Sequence, residues 1–246
     1  MCRNNSHIRA WAGNLMKILG LIPARAGSKG IPQKNLREVA GRPLLSWAIK
    51  SATDSQLLDR IVVSTEDDLI ADRAVSMGAE VPFRRPVQLA ADTTPMLDVV
   101  LHALDELANQ SYVPDAIAVL QPTSPLRRPQ HIRTAIELLQ DSDAVCSVIQ
   151  LRRELSPYAV MRLDSRGYLR FFIPEGINYA RRQDLPLAYR RDGTIYLTRR
   201  SVVVEKRSLY GDSCIPLVLE EAESVTVDEP EDLIKADQRL RAREAV

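Results

Sequence analysis

A cationic loop of small residues follows the first apolar run of the chain, in the stretch LIPARAGSKGIPQKNL at residues 21–36. The apolar run ends at Pro23, and the loop carries one arginine, two lysines and two glycines but no acidic residue. Small residues let a ligand approach the backbone, whose successive N–H groups can bind phosphate oxygens while nearby cations neutralise the charge. The loop is therefore predicted to bind an anion such as a phosphate group.

The two lysines of this loop are informative because lysine is rare in the chain. Only six of the 33 basic residues are lysines, and two of those six are Lys29 and Lys34. A lysine ammonium is a compact point charge, unlike the planar fork of arginine. The loop matches neither G-x-G-x-x-G nor the P-loop, since Lys29 precedes Gly30 and no Ser or Thr follows the lysine. A solvated basic loop is the alternative interpretation.

The bulk composition excludes several classes of protein. The 246 residues are 45% hydrophobic and 26% charged, as in globular proteins, and the net charge of +1 indicates no nucleic-acid partner. No stretch approaches the roughly 18 apolar residues of a membrane span, so we expect no membrane partner. The three cysteines and three histidines lack metal-ligand spacing, and we expect a reduced, cytoplasmic protein.

Strand and helix patterns alternate along the chain. Short apolar or β-branched runs predict strands at residues 17–23, 60–65, 115–120, 143–151, 193–198 and 224–227. Amphipathic repeats predict helices at residues 42–52, 66–78, 93–107, 129–140 and 230–241. This alternation predicts an α/β fold with a mostly parallel sheet and helices on both faces.

Two regions depart from the alternation. Residues 1–15 are polar and irregular, which predicts a flexible N-terminal tail before a single domain at residues 16–246. Residues 152–192 contain paired arginines, prolines and a Tyr/Phe cluster without a clean period, which indicates an extended insertion or arm.

Two loops are predicted to meet at one edge of the sheet. ARAGSKG at residues 24–30 and QPTSPLR at residues 121–127 each directly follow a predicted strand. Ligands of such sheets bind beyond the carboxyl ends of the strands. We therefore expect both loops to contribute to one binding site.

Four blocks of the sequence resemble one enzyme family. LIPARAGSKGIPQKNL closely resembles the signature of the acylneuraminate cytidylyltransferases, also called CMP-sialic acid synthetases. VSTEDDLIADRAVSMGAEVPFRRPVQLAADTTP, LQPTSPLR and LPLAYRRDGTIYL resemble later blocks of that family, in the same order. The resemblance covers about residues 17–240, and its first motif and LQPTSPLR are specific to the family.

The resemblance implies a three-layer, Rossmann-like nucleotidyltransferase fold and a homodimer, with the extended arm as the expected contact. Members of the family join CTP to a nine-carbon 2-keto sugar acid and release pyrophosphate, with Mg²⁺, or alternatively Mn²⁺, as the cofactor. Attack on the α-phosphorus places negative charge on its oxygens and on the departing pyrophosphate, so cations and a metal suit the chemistry.

The resemblance also implies roles for individual residues. Positions matching Arg25 and Lys34 hold the triphosphate, and we expect both to be catalytic together with Asp228. The predicted nucleotide-binding residues are Ala24, Arg25, Gly27, Ser28, Lys29, Asn35 and Arg85. The predicted sugar-binding residues are Gln121, Arg182, Gln183 and Arg190. An arginine fork is well suited to the carboxylate of a sugar acid.

The sequence departs from the family at the metal site. The family commonly has Asp-x-Asp before its last helix, whereas SVTVDEPEDL keeps only the second aspartate, Asp228, with Thr226 in place of the first. Asp228 is therefore the predicted metal ligand, with phosphates and water completing the shell. We expect Glu229 and Asp232 to cap the following helix, which is also the alternative role of Asp228.

The residues leave the sugar acid open. N-acylneuraminate, legionaminate and pseudaminate differ only in their substituents, and one methyl or hydroxyl changes binding by about 1–3 kcal/mol. A cytidylyltransferase for the eight-carbon 3-deoxy-octulosonate is a further alternative. A catalytically inactive nucleotide-binding relative is another, which only Thr226 favours.

Overall fold

The computed structural model of the protein describes residues 10–11 and 14–244. Most of the tail predicted at residues 1–15 lies outside the described residues. Its described part forms a short antiparallel hairpin, in which Ala10 pairs with Leu15. Within the described part of the chain, no helix is both long and apolar enough to cross a membrane.

The described residues form twelve strands and six α-helices, besides short 3-10 turns. The strands are β1 (Ala10–Trp11), β2 (Asn14–Leu15), β3 (Ile18–Pro23), β4 (Glu38–Val39), β5 (Arg42–Pro43), β6 (Arg60–Ser64), β7 (Ala116–Val119), β8 (Ala144–Gln150), β9 (Met161–Leu163), β10 (Leu169–Phe171), β11 (Tyr189–Arg199) and β12 (Cys214–Leu219). The helices are α1 (Leu44–Ser55), α2 (Asp68–Ser76), α3 (Met96–Asn109), α4 (Pro129–Leu138), α5 (Arg200–Glu205) and α6 (Pro230–Glu244).

A six-stranded sheet forms the centre of the molecule, in the order β12-β8-β11-β7-β3-β6. Strand β3 is parallel to β6 and β7, and β12 is parallel to β8. Only β11 runs antiparallel to its neighbours β7 and β8 in this sheet. The predicted mostly parallel sheet is confirmed, with one reversed strand near its middle.

Strand β3 shows why the fold has three layers. Its successive side chains point to opposite faces of the sheet, as in any strand. Ile18 and Ile22 pack in one cluster with Leu45 and Ile49 of α1, whereas Leu19 and Leu21 pack in another cluster with α3. Both faces of the strand are buried, and each such side chain contributes about 1.5–3 kcal/mol. The predicted three-layer arrangement is confirmed.

In the central sheet, one predicted strand is wrong and another was missed. Residues 224–227 belong to no strand of the structure, although the backbone N–H of Val227 donates to the carbonyl of Thr123 at 2.8 Å. The edge position beside β8 is taken instead by β12, which contains Pro216. Proline lacks an N–H donor and is confined to edge strands, so the sequence pattern did not indicate a strand there.

The predicted insertion lies between β8 and β11. It ends before residue 192, because Tyr189 already pairs with Gln150 and β11 begins there. The insertion carries the hairpin of β9 and β10, whose register pairs Leu163 with Leu169. Both leucines are exposed, at 67% and 59%, so the insertion presents an apolar surface to its surroundings.

Candidate active site

A cleft of about 310 Å³ lies beyond the carboxyl ends of β3 and β7. The loops that follow these two strands converge there, as their positions in the sequence predicted. The predicted site residues that line the cleft are Arg25, Gly27, Ser28, Lys34, Asn35, Arg85, Gln121 and Asp228. Thr226 lines it as well, so the 224–228 segment forms one wall.

The first loop is held by its own backbone and by Asn35. The buried side-chain amide of Asn35 donates to the carbonyl of Arg25 at 2.8 Å. Ala24 is fully buried, and its N–H donates to the carbonyl of Ser64 at 3.0 Å. A Cβ on Gly27 would meet no atom within 4 Å, which leaves open space on the cleft side of the loop. Ala24 therefore supports the loop from beneath, and Gly27 borders the cleft.

Gly30 permits a close contact between the first loop and the 224–228 segment. A Cβ at this position would lie 2.4 Å from the carbonyl oxygen of Asp228, which is too close for any side chain. The Nζ of Lys34 reinforces the contact, because it donates to the carbonyl of Val227 at 2.9 Å and to Oδ1 of Asp228 at 3.0 Å. Two of the predicted catalytic residues thus form an ion pair.

Arg25 and Lys29 share a carboxylate that sequence reasoning missed. Asp92 accepts from Nη2 of Arg25 and lies 3.1 Å from Nζ of Lys29. These hydrogen bonds, that from Lys29 first, hold the pKa of Asp92 below its usual value, so the group stays ionised at neutral pH. Lys29 is highly exposed and reaches the cleft only through this pair. No short-range pattern links residues so far apart in the sequence.

Arg85 is anchored beneath the cleft by a second missed acid. Its Nη2 lies 3.1 Å from Oε2 of Glu66, whose Oε1 accepts from the N–H of Ala26 at 2.7 Å. Burial lowers the pKa of Arg85, and the charge of Glu66 partly opposes that effect. The pattern assigned Glu66 to the predicted helix, but α2 begins at Asp68 with Asp67 as its N-cap. Glu66 is thereby free to support the cationic loop.

A second cavity of about 590 Å³ adjoins the first. Met96, Gln121 and Thr226 line both cavities, and Arg190 lines the second. Sequence reasoning missed Arg191 and Tyr210 in this wall, where Nη1 of Arg191 donates to the tyrosine hydroxyl at 2.5 Å. The structure thus brings two predicted sugar-binding residues, Gln121 and Arg190, to one cavity next to the cationic cleft.

Arg182 and Gln183 lie elsewhere, on the insertion. Nη2 of Arg182 is 2.5 Å from Oε2 of Glu154, and the carbonyl of Gln183 accepts from Nη1 of Arg153 at 3.0 Å. Neither residue lines either cavity. Within one chain, the structure does not bring them to Gln121.

The donors for a metal ion are few. Among the residues that the structure describes, no group of three or more His, Cys, Asp or Glu side chains is placed to hold a metal ion. Oδ2 of Asp232 accepts from the N–H groups of Asp228 and Glu229, so Asp232 caps the start of α6 as expected. The Asp228 carboxylate remains exposed on the cleft wall. One such carboxylate fits Mg²⁺ when phosphates and water supply the other ligands.

Comparison with known proteins identifies the family. A profile described as cytidylyltransferase matches residues 19–234, most of the chain. The chain belongs to the cytidylyltransferase family. This confirms the resemblance at the level of the family.

Several relatives share this membership. The chain is 38% identical over 225 residues to a CMP-N,N'-diacetyllegionaminic acid synthase of Legionella pneumophila, covering 88% of the chain and 93% of that protein. It is 29% identical to an N-acylneuraminate cytidylyltransferase of Escherichia coli, covering 87% of the chain but only 49% of that longer protein. It is 30% identical to a pseudaminic acid cytidylyltransferase of Campylobacter jejuni, covering 79% of the chain and 84% of the relative.

Solved structures support the fold. A CMP:2-keto-3-deoxy-manno-octonic acid synthetase complexed with CTP superposes with a TM-score of 0.69 at 20% identity, covering 93% of the chain and 99% of that structure. A 4-diphosphocytidyl-2C-methyl-D-erythritol synthase from Anaerococcus prevotii gives a TM-score of 0.63 at 16% identity, covering 92% of the chain and 99% of that structure. The Rossmann-like nucleotidyltransferase fold is therefore confirmed.

Asp92→Asn should tighten the binding of a nucleoside triphosphate by several-fold. Asp92 pairs with Arg25 and Lys29, and an amide would leave both cations available to phosphate oxygens. Calorimetric titration with CTP in the absence of metal measures the change. Asp68→Asn, which removes an exposed partner of Arg84 outside the cleft, is the matched control. Weaker binding by the Asp92 variant would mean that this carboxylate orders the loop rather than competing with the ligand.

Proposed function

We propose that the protein joins CTP to a nine-carbon 2-keto sugar acid of the N-acylneuraminate type and releases pyrophosphate. The observation that carries this proposal is the pairing of a cationic cleft, lined by Arg25 and Lys34, with a second cavity across a shared wall at Gln121. The first cavity suits a triphosphate, and the second suits a sugar acid. The 38% identical relative makes a legionaminate-type acid the second candidate within the same class.

The cleft's cations supply what transfer at phosphorus requires. Phosphoryl-type transfer is catalysed mainly by positioning and electrostatic stabilisation, so Arg25 and Lys34 would neutralise the α-phosphate oxygens and the departing pyrophosphate. Lys34 lines the cleft, where its ammonium lies 3.0 Å from Oδ1 of Asp228. A Mg²⁺ ion held by Asp228 would add positive charge to the same phosphate oxygens.

The second cavity offers an arginine for the carboxylate of the sugar acid. Arg190 is exposed on β11, and its neighbour Arg191 is held by Tyr210. An arginine binds a carboxylate with two parallel hydrogen bonds, which fixes orientation as well as affinity. We assign Arg190 to this carboxylate and Gln121 to a sugar hydroxyl.

Pyrophosphate release tests the function. The purified protein is assayed with CTP, Mg²⁺ and, separately, N-acetylneuraminate, N,N'-diacetyllegionaminate, pseudaminate and 3-deoxy-octulosonate. Turnover of a nine-carbon acid supports the proposal and identifies the sugar type. Turnover of only the eight-carbon acid would replace it, and CTP binding without turnover of any acid would indicate an inactive relative. The cytoplasmic location inferred from the cysteine content stays a prediction.

Lys34→Ala should lower kcat by a factor of 100 or more while the protein stays folded. The ammonium is held against Val227 and Asp228 at the cleft wall, and removing it leaves developing phosphate charge unopposed. Steady-state kinetics and circular dichroism measure the two effects. Lys50→Ala, at an exposed lysine paired with Asp54 on α1, should behave like the wild type. A near-normal kcat would remove Lys34 from the catalytic residues.

Thr226→Asp should lower the Mg²⁺ concentration needed for half-maximal rate. Residue 226 lines the cleft two positions before Asp228, and a second carboxylate there would add a ligand for a hard cation. Metal titration of the initial rate measures the shift, with Mn²⁺ as a second metal. Thr226→Asn is the control of similar size without the charge. Identical metal dependence in both variants would mean that position 226 does not face the ion.

The insertion is proposed as the contact of a homodimer. Its hairpin exposes Leu163 and Leu169 side by side on β9 and β10, a pairing that a second copy could cover. Contiguous exposed apolar surface is typical of interaction sites. Arg182 and Gln183 lie on the same insertion, and we propose that they contribute to the cleft of the partner subunit.

Leu163→Asp combined with Leu169→Asp should convert a dimer into a monomer. Two carboxylates at the centre of an apolar contact would be costly to bury. Sedimentation velocity measures the change, with Val75→Asp, at an exposed residue of α2, as the control.

Mixing and refolding the Lys34→Ala and Arg182→Ala variants should restore part of the activity if the two residues act in one shared site. Absence of any restored turnover would mean that each site lies within one chain.

A further inference from the structure

Two charged side chains lie behind the proposed active site and take no part in the chemistry described above. Arg127 is 2% exposed and Asp192 is 1% exposed. Burying a charge costs free energy unless hydrogen bonds and an opposite charge compensate. Both residues therefore require a structural or functional reason for their position.

Arg127 links the loop after β7 to strand β11. Its Nη2 donates to the carbonyl of Gln121 at 2.6 Å and to that of Gly193 at 3.4 Å, and its Nε donates to the carbonyl of Thr194. Burial lowers the pKa of Arg127 to about 9, and the charge of Asp192 partly opposes this shift. Since this pKa lies well above neutral pH, the guanidinium stays charged and bonded to both segments.

Asp192 links β11 to the segment that carries Asp228. Its Oδ1 accepts from the N–H of Thr194 at 2.8 Å, and its Oδ2 accepts from the hydroxyl of Ser224. The register of β11 against β8 shifts between Arg191 and Tyr196, so the carboxylate lies at an irregularity of the strand. Such an irregularity changes the direction in which the side chains on either side of it point.

Gly193 brings the irregular part of β11 directly against Gln121. A Cβ at this glycine would lie 2.7 Å from Oε1 of Gln121 and 2.8 Å from the hydroxyl of Ser124. The side chain of Gln121 is therefore confined by the backbone of β11, and Arg127 holds that backbone through the carbonyl of the same glycine.

The 224–228 segment completes the connection to the cationic cleft. Ser224 is bonded to Asp192, Val227 is bonded to Thr123, and Asp228 is paired with Lys34. Thr226, between them, lines both cavities. The network thus connects the loop after β7, strand β11 and the 224–228 segment, three of the elements that border the second cavity.

We propose that Arg127 and Asp192 are positioning residues that hold Gln121 and the 224–228 segment at the separation required for the sugar acid to meet the nucleotide. This inference rests on the proposed function. Neither Arg127 nor Asp192 lines either proposed substrate cavity. Both would act through the residues that they bind, which are Gln121, Gly193, Thr194 and Ser224. A displacement of about 1 Å in such an arrangement can cost about 100-fold in rate.

Asp192→Asn and Arg127→Lys are the principal tests. Each keeps the approximate size of the side chain but removes the charge or the fork that serves several carbonyls. We expect kcat/KM for the sugar acid to fall by 10- to 100-fold, while the calorimetric Kd for CTP changes by less than threefold. A merely structural role would lower Tm without separating these two constants.

Arg199→Lys is the matched control. Arg199 lies at the other end of β11 and likewise binds backbone carbonyls, those of Ser142 at 2.8 Å and Leu139 at 3.1 Å. Its substitution should lower Tm comparably and leave both constants unchanged. If Arg127→Lys and Arg199→Lys have the same effect on kinetics, the positioning role is overturned.

Ser224→Ala is a further test of the inference if Asp192→Asn or Arg127→Lys fails to fold. It removes only the hydroxyl that donates to Asp192 and should lower kcat/KM for the sugar acid by a few fold. In a double-mutant cycle, Ser224→Ala should add little to Asp192→Asn, because both break the same link. Fully additive effects would overturn the inference. A wild type that turns over no acid would overturn the proposed function instead.

Discussion

The cleft concentrates positive charge, and the chain balances that charge with its own carboxylates. Asp92 pairs with Arg25 and Lys29, Asp228 pairs with Lys34, and Glu66 pairs with Arg85. Cations on one cleft repel one another, and each carboxylate reduces that repulsion while fixing a side-chain direction. A triphosphate would compete with Asp92 and Asp228 for the same cations. Glu66 differs, because it also accepts from the backbone of the loop and so belongs to its support.

The antiparallel strand β11 determines where the second cavity lies relative to the first. It lies between β7 and β8, and its irregular stretch at Gly193 meets Gln121 at the end of β7. Any side chain at residue 193 would collide with Gln121 and Ser124, so the glycine allows β11 to lie directly against the end of β7. The buried side chains of Arg127 and Asp192 bind the backbone of this stretch of β11, at Gly193 and Thr194.

Strand and helix positions were largely predictable because they depend on short-range periodicity. The buried run of β3 and the amphipathic repeat of α1 are visible in a few turns of sequence. The same reasoning failed for β12, where an alternating edge strand contains Pro216, and for residues 224–227, whose β-branched pattern belongs to a cleft wall rather than to the sheet. Periodicity reports which side of a segment is buried but not which neighbour buries it.

The sequence by itself determined the cationic composition of the first loop, the family and the meeting of two loops at one sheet edge. Each follows from short local patterns, since both loops directly follow a strand of the same sheet. Only the tertiary structure decided which acid faces which cation, as Asp92 with Lys29, and that Arg182 lies apart from Gln121. It also decided that Asp192 and Arg127 are buried. Those relations join segments far apart in the chain, where packing and charge select partners that no local pattern encodes.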